Sequence, residues 1–274
     1  MTRKAFQKTI IDYYRKNKRA FPWRNTRDPY AILVSEIMLQ QTQTDRVIEK
    51  YKRWLKLFPT FESLAHAPLQ SVLLEWKGLG YNRRALNLQR AAKIIVEKYN
   101  GKLPKNYEQI LDLPGIGPYT AGAIMAFAFN IAVPIIETNI RTVYIHFLPA
   151  LSKLEGFKDQ SKIHDKEILG LVEKTLDMKN PREWYYALMD YGVMLKKTVG
   201  NVNKKSKHYS KQSKFKGSNR ELRAKILHLI TLKPATFAMV SKKIDGDAEK
   251  ILLNVKSLEQ EGFIKKMKSV YYIY

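Results

Sequence analysis

The sequence predicts an all-α protein that closes with a small α-plus-β module. Three observations predict it. Apolar residues recur at helical spacing along most of the chain, prolines punctuate those segments, and β-prone residues gather in the last dozen positions. The chain has 274 residues and 45% hydrophobic content, enough for one large domain or two smaller ones around a real core. No run approaches the roughly eighteen apolar residues of a membrane span, and the N-terminal stretch lacks a signal-peptide core. There are no cysteines, which excludes disulfides, thiolate metal sites and cysteine-ligated clusters. His66, His146, His164, His208 and His228 show no helical pairing of the zinc-binding kind. Lysine and arginine total 49 against 25 acids, a net charge of +24. Such an excess attracts polyanions, nucleic acid foremost, although a Lys-rich background or a membrane-surface habit would give the same number.

The elements follow in order. "MTRKAFQKTIIDYYRKNKRAF" reads as a charged amphipathic helix. Asp28 then Pro29 supplies an N-cap and a proline at the first helical position, opening "AILVSEIMLQQTQ" as a buried helix. Pro59, Pro68, Pro104, Pro114 and Pro134 delimit the helical segments that follow. From Lys196 to Lys216 the sequence "KKTVGNVNKKSKHYSKQSKFK" holds eight lysines and no acid, a linker or basic surface loop. "NRELRAKILHLIT", "ATFAMVSKKI" and "DAEKILLNVKSLEQEGFI" then read as three short helices, and "IKKMKSVYYIY" as a terminal hairpin or strand. Three helices and a β-wing resemble a winged-helix module. A helical cap over the main domain is the alternative. The expected division is 1–195, a basic loop or linker 196–217, and the winged-helix-like domain 218–274.

Two local features point to chemistry. Glu36 is the one ionisable residue in an apolar helix, and burying a carboxylate costs several kcal/mol unless it is paired, protonated or used. In "YEQILDLPGIGPYTAGAIMAFAF" a short helix ending at Leu113 meets a turn containing Gly115 and Gly117, and a second helix follows with Pro118 near its start. Glycines permit positive φ and close backbone approach, and the new helix's N–H groups form an anion site. A helix-hairpin-helix grips a DNA phosphate in this way without reading sequence.

"FPWR", "DPY", "SEIMLQQTQ", "GLGYNRRALNL", "LPGIGPYTAGAI" and "ETNIRTV" occur in the order found in the endonuclease III superfamily of helix-hairpin-helix DNA glycosylases. The chain resembles that family over roughly residues 6 to 195, and within it resembles the adenine-DNA glycosylases acting on A opposite G or 8-oxoguanine. The resemblance implies an all-α, two-lobed helix-hairpin-helix glycosylase fold with the winged-helix-like module appended. The protein is expected inside the cell with the DNA, in the cytoplasm or nucleoid, or in the nucleus of a eukaryote, acting as a monomer on duplexes containing a mismatch or damaged base.

The resemblance assigns roles residue by residue. Glu36 stands at the family's position for protonating adenine at N7 and then activating water; a Glu turned to the surface or paired with an arginine is the alternative. Glu137 stands where the family has an aspartate that offsets sugar cation charge, and Thr138 where glycine is common. A helix-end acid favoured by the macrodipole is the alternative for Glu137. Asn139 matches an asparagine that helps hold the reacting groups. Tyr119 occupies the place of the lysine used for Schiff-base chemistry by strand-cutting members, so the chain is expected to be monofunctional. Gln40, Gln41 and Tyr81 match residues that enter the duplex and probe the partner base. Arg83 and Arg84, with Lys196 and Lys197 of the basic segment, are expected at phosphates. Trp23 and Arg24 are expected at the base pocket, with core packing and a surface ion pair as alternatives.

Most relatives carry four cluster cysteines after the segment matching "ALMDYGVM"; here "LKKTVGNVNKKSK" takes that place, so no iron–sulfur cluster is expected. The resemblance leaves room for a monovalent cation at the hairpin. The Nudix-like domain of adenine glycosylases also gives way to the winged-helix-like segment. Three functions follow from this: adenine release, thymine or uracil release opposite G, and a catalytically silent binder of DNA damage or structure.

Overall fold

The computed structural model describes residues 1–151, 162–211 and 214–274. In chain order the helices begin with α1 (Arg3–Asn17), α2 (Pro29–Leu39), α3 (Thr44–Leu57), α4 (Phe61–His66) and α5 (Leu69–Trp76). They continue as α6 (Arg83–Tyr99), α7 (Tyr107–Leu111), α8 (Pro118–Phe129), α9 (Thr138–Leu151), α10 (Asp165–Thr175) and α11 (Pro181–Thr198). The C-terminal module is α12 (Asn219–Leu232), β1 (Ala235–Thr236), α13 (Phe237–Lys243), α14 (Ala248–Gln260), β2 (Ile264–Met267) and β3 (Val270–Ile273). The protein is mostly helical, as its apolar spacing predicts.

One compact unit comprises Met1–Glu36 and Leu103–Lys211. Its centre is α8, buried at every residue from Thr120 to Ala128. Such a helix carries no polar face, which is why its sequence is apolar all round. Gly122 is required within it, because a Cβ there would collide with the Ile135 side chain. From α1, Phe6 sets its ring edge-on to Trp184 of α11 at 5.8 Å and tilted to Tyr144 of α9 at 5.5 Å. Each such buried side chain contributes about 1.5–3 kcal/mol. The Tyr185 hydroxyl donates to the Val133 carbonyl at 2.7 Å and accepts from the Ile135 amide at 3.2 Å, fixing the chain between α8 and α9.

The basic segment is more ordered than a linker. Lys196 and Lys197 belong to the last turn of α11. A 3-10 turn, Val202–Lys205, is fastened to α9 by the Asn203 amide, which donates to Thr142 Oγ1 at 2.7 Å and the Thr138 carbonyl at 3.3 Å. Ser206 then forms a parallel bridge with Ile163. Of the rest of that segment, Gln212 and Ser213 lie outside the described residues.

The other compact unit comprises Ile37–Lys102 and Gln212–Tyr274. Trp54 and Trp76 meet edge-on at 5.4 Å in its core. The sheet order is β1-β3-β2, antiparallel, with Ala235 opposite Tyr271 and Ile264 opposite Ile273. Helix, strand, two helices and a hairpin give the winged-helix order. The sequence misses β1 because two residues are too few to show alternation. This module is seated on α5 and α6. Gln70 Nε2 donates to the Thr231 carbonyl at 2.6 Å, and Arg90 Nη2 donates to the Glu261 carbonyl at 2.9 Å.

Candidate active site

Helix α2 starts as its sequence dictates. The Asp28 carboxylate accepts from the amides of Tyr30 and Ala31, both at 3.2 Å. The helix is buried from Tyr30 to Met38, and Glu36 is only 6% exposed. The Tyr119 hydroxyl, from the first turn of α8, donates to Glu36 Oε2 at 3.2 Å. Burial raises the Glu36 pKa from 4.5 to about 7; the nearby Glu137 charge adds to this, while the Tyr119 hydrogen bond and the Arg24 charge oppose it. The Tyr119 phenol is held well above its ordinary value, first by burial and then by the charges of Glu36 and Glu137. Near neutral pH Glu36 therefore populates both its acid and its base form, the state that suits general acid–base work.

Glu137 caps α9. Its Oε1 accepts from the amides of Asn139 at 2.7 Å and Ile140 at 3.0 Å, and Oε2 accepts from Asn139 Nδ2 at 3.3 Å. Capping and catalytic use are compatible here, because these bonds fix the carboxylate in place. Asn139 Oδ1 in turn accepts from Lys196 Nζ at 2.7 Å. Partial burial lowers the Lys196 pKa, and the Glu137 charge works against that. Lys196, expected at phosphates, is thus committed to Asn139, whereas Lys197 is exposed. Behind Asn139 lies Gly192 of α11, where a Cβ would collide with the Asn139 backbone carbonyl. A glycine inside a helix costs about 1 kcal/mol relative to alanine, and that local misfit is the sequence signal for this close approach.

Trp23 and Arg24 sit differently from one another. Trp23 is buried and stacked on Phe21 at 5.0 Å, so it packs the core. Arg24 forms two bonds of 2.8 Å to Asp190 and lies 4.6 Å from the centre of the Tyr186 ring. Its ion pair is buried rather than on the surface, with side-chain exposures of 7% and 1%. In the hairpin, Gly115 takes a positive φ of 78°. Gly117 is extended at φ −102° and is the N-cap of α8, which begins at Pro118. The helix before the turn ends at Leu111 rather than Leu113.

In the other unit, Gln41 and Tyr81 adopt left-handed backbone, φ 53° and 48°, strain of the kind that concentrates at functional sites. Gln40 is half-buried and Gln41 exposed. Arg84, expected at phosphates, turns inward. Its Nη1 donates to the carbonyls of Ile37, Met38 and Gln40 at 2.7–3.0 Å, and its Nη2 to Thr42 Oγ1, Leu79 O and Gly80 O at 3.0–3.1 Å. Backbone carbonyls in the turns flanking α2 and α6 need donors, and this guanidinium satisfies them at once. Arg83 is exposed but paired with Glu261 at 3.0 Å.

The residues after α11 do not fit an iron–sulfur cluster. The sequence has no thiolate to offer, and the buried Asn203 and Ser206 hold this segment by hydrogen bonds. Among the described residues no group of three or more His, Asp or Glu could hold a metal ion.

The HhH-GPD superfamily base excision DNA repair protein family matches residues 34–166. An adenine DNA glycosylase of Buchnera aphidicola subsp. Baizongia pistaciae is 38% identical over 200 residues, 71% of this chain and 54% of that protein. The chain thus spans about half the length of that relative. A thymine/uracil-DNA glycosylase of Methanothermobacter thermautotrophicus is 31% identical over 70% of this chain and 85% of that protein. The solved structure of a thermostable thymine-DNA glycosylase superposes with a TM-score of 0.62 at 31% identity, covering 70% of this chain and 86% of that one. The family match spans the segments that carry Glu36, Tyr119 and Glu137, and the chain belongs to the HhH-GPD superfamily of base excision DNA repair proteins.

Proposed function

We propose that the chain is a monofunctional DNA glycosylase that releases adenine opposite guanine or 8-oxoguanine. The observation that carries this is Glu36, a buried carboxyl poised at about pH 7 beside Tyr119, with a second carboxylate fixed at the N-terminus of α9. An adenine flipped from the duplex presents N7 as a proton acceptor. Protonation by Glu36 lets the N-glycosidic electron pair leave with a neutral base. Glu137 offsets the positive charge that develops on the sugar. The Glu36 carboxylate then takes a proton from the water that adds to C1′, leaving an abasic site. Tyr119 offers no amine for a Schiff base. The hairpin at Gly115 and Gly117 and the lysines from Lys197 onward are the phosphate contacts in this reading.

Thymine or uracil release opposite guanine is the second reading, favoured by the extent of the match to thymine/uracil- and thymine-DNA glycosylases. Incubating the protein with duplexes holding A, T or U opposite G, 8-oxoguanine or C, then cleaving abasic sites with alkali, separates the two. Cleavage at A opposite G or 8-oxoguanine supports the proposal. Cleavage at T or U alone replaces it with the second reading, and no cleavage anywhere leaves a silent DNA binder.

A further inference from the structure

The C-terminal module delivers a side chain to Tyr81. Arg220, in the first turn of α12, donates through Nη1 to the Tyr81 hydroxyl, and its guanidinium carbon lies 5.2 Å from the centre of the Tyr81 ring. Arg84 approaches the same ring at 5.7 Å, but its bonds run to the carbonyls of the turns. Tyr81 is itself held in left-handed backbone. The other end of α12 is pinned by Gln70 on Thr231, and α14 by Arg83 and Arg90 on Glu261. The module is therefore fixed at both ends, with Arg220 at the tip of the tyrosine.

We propose that Arg220 is a specificity-determining residue for the base opposite the excised one, and that it reads guanine through O6 and N7, an edge that 8-oxoguanine, with a hydrogen on N7, does not offer. The inference rests on the reading of Tyr81 as the side chain that enters the duplex. A ring stacked against the partner base brings whatever is bonded at its hydroxyl to that base's edge. A guanidinium presents two parallel N–H donors, which match the paired acceptors O6 and N7 of guanine and no pyrimidine edge. This gives the C-terminal module a job: it supplies the reader, and the lobe carrying α6 supplies the wedge.

The test measures binding by fluorescence anisotropy to duplexes with a tetrahydrofuran abasic analogue opposite guanine, 7-deazaguanine or cytosine, at one fixed salt concentration. No base is released, so the outcome is independent of which base the enzyme excises. The failure of the adenine reading shows separately in the alkali-cleavage panel. Wild type should favour guanine over cytosine by roughly ten- to hundredfold. Replacing N7 by carbon in 7-deazaguanine should remove most of that preference. Arg220→Ala should remove it too, bind the cytosine duplex within about threefold of wild type, and be indifferent to the N7 replacement. Equal losses on all partners would mean that Arg220 merely props the tyrosine, and would overturn the proposal. So would a wild type that shows no guanine preference or ignores the N7 replacement, a readout that needs no variant to fold.

Discussion

Gly192 of α11 lies against the backbone carbonyl of Asn139, with no room for a Cβ between them. The same asparagine bonds Glu137 through its amide and its backbone N–H, so one hydrogen atom on α11 sets where the second carboxylate stands. Gly192→Ala should cost about 1–3 kcal/mol of stability by overpacking. In the variant that remains folded, single-turnover base release should slow at least tenfold, following the displaced carboxylate. A folded Gly192→Ala protein cleaving at the wild-type rate would refute this coupling.

Glu36 makes both rate and stability depend on pH. If its protonated form is the acid, base release should decline as pH rises through about 7. The sign for stability follows from the raised pKa. Folding favours the protonated form, so its contribution is fully present below 4.5 and is lost as pH rises to about 7. The gap between 4.5 and about 7 corresponds to about 3 kcal/mol. Glu36→Gln should abolish base release, yet its stability relative to wild type should grow between pH 5 and 8. Denaturation across that range, flat for the difference, would argue against a buried, ionising Glu36.

Glu137 caps α9 and is proposed to offset sugar charge, and two substitutions separate these roles. Glu137→Gln keeps an oxygen for the amides of Asn139 and Ile140. It should cost about 1 kcal/mol of stability but slow cleavage by two or more orders of magnitude, on the order of removing one electrostatic stabiliser from the reacting centre. Glu137→Asp shortens the reach. Cleavage near the wild-type rate would place the longer side chain within a conventional mechanism, and a large loss would mean a pocket rebuilt around glutamate. If both match wild type, Glu137 is a cap alone.

Borohydride should trap no covalent complex between the protein and its product. Tyr119 has no amine, and the Lys196 ammonium is engaged by Asn139 Oδ1. Denaturing gel electrophoresis after reduction reads the outcome. A trapped band that disappears in Lys196→Met would assign a Schiff-base amine to α11 and end the monofunctional reading.

Binding to undamaged duplex should weaken steeply with salt. Neutralising Lys204, Lys205 and Lys207 together should flatten the slope by about 0.9 for each phosphate that these lysines engage in the wild type. An unchanged slope would remove this segment from the DNA interface.

The sequence by itself determined the helical class, the start of α2 at Asp28 and Pro29, the hairpin turn, the terminal β-wing and the place of Glu36 as an ionisable residue within an apolar helix. These are local: a cap, a proline, a glycine pair or an apolar period is legible wherever it occurs. It also ruled out a thiolate cluster by containing no cysteine. What only the tertiary structure decided involves partners far apart in the chain. Arg84 turns from phosphates to carbonyls because the turns at residues 37–42 and 79–80 converge on it. Lys196 is drawn to Asn139, 57 residues away, and Arg24 to Asp190, 166 residues away. Arg220 reaches Tyr81 across 139 residues. A charged side chain shows its sign in sequence but not its partner, because long flexible stems settle on whichever opposite charge or carbonyl the fold brings within hydrogen-bond reach.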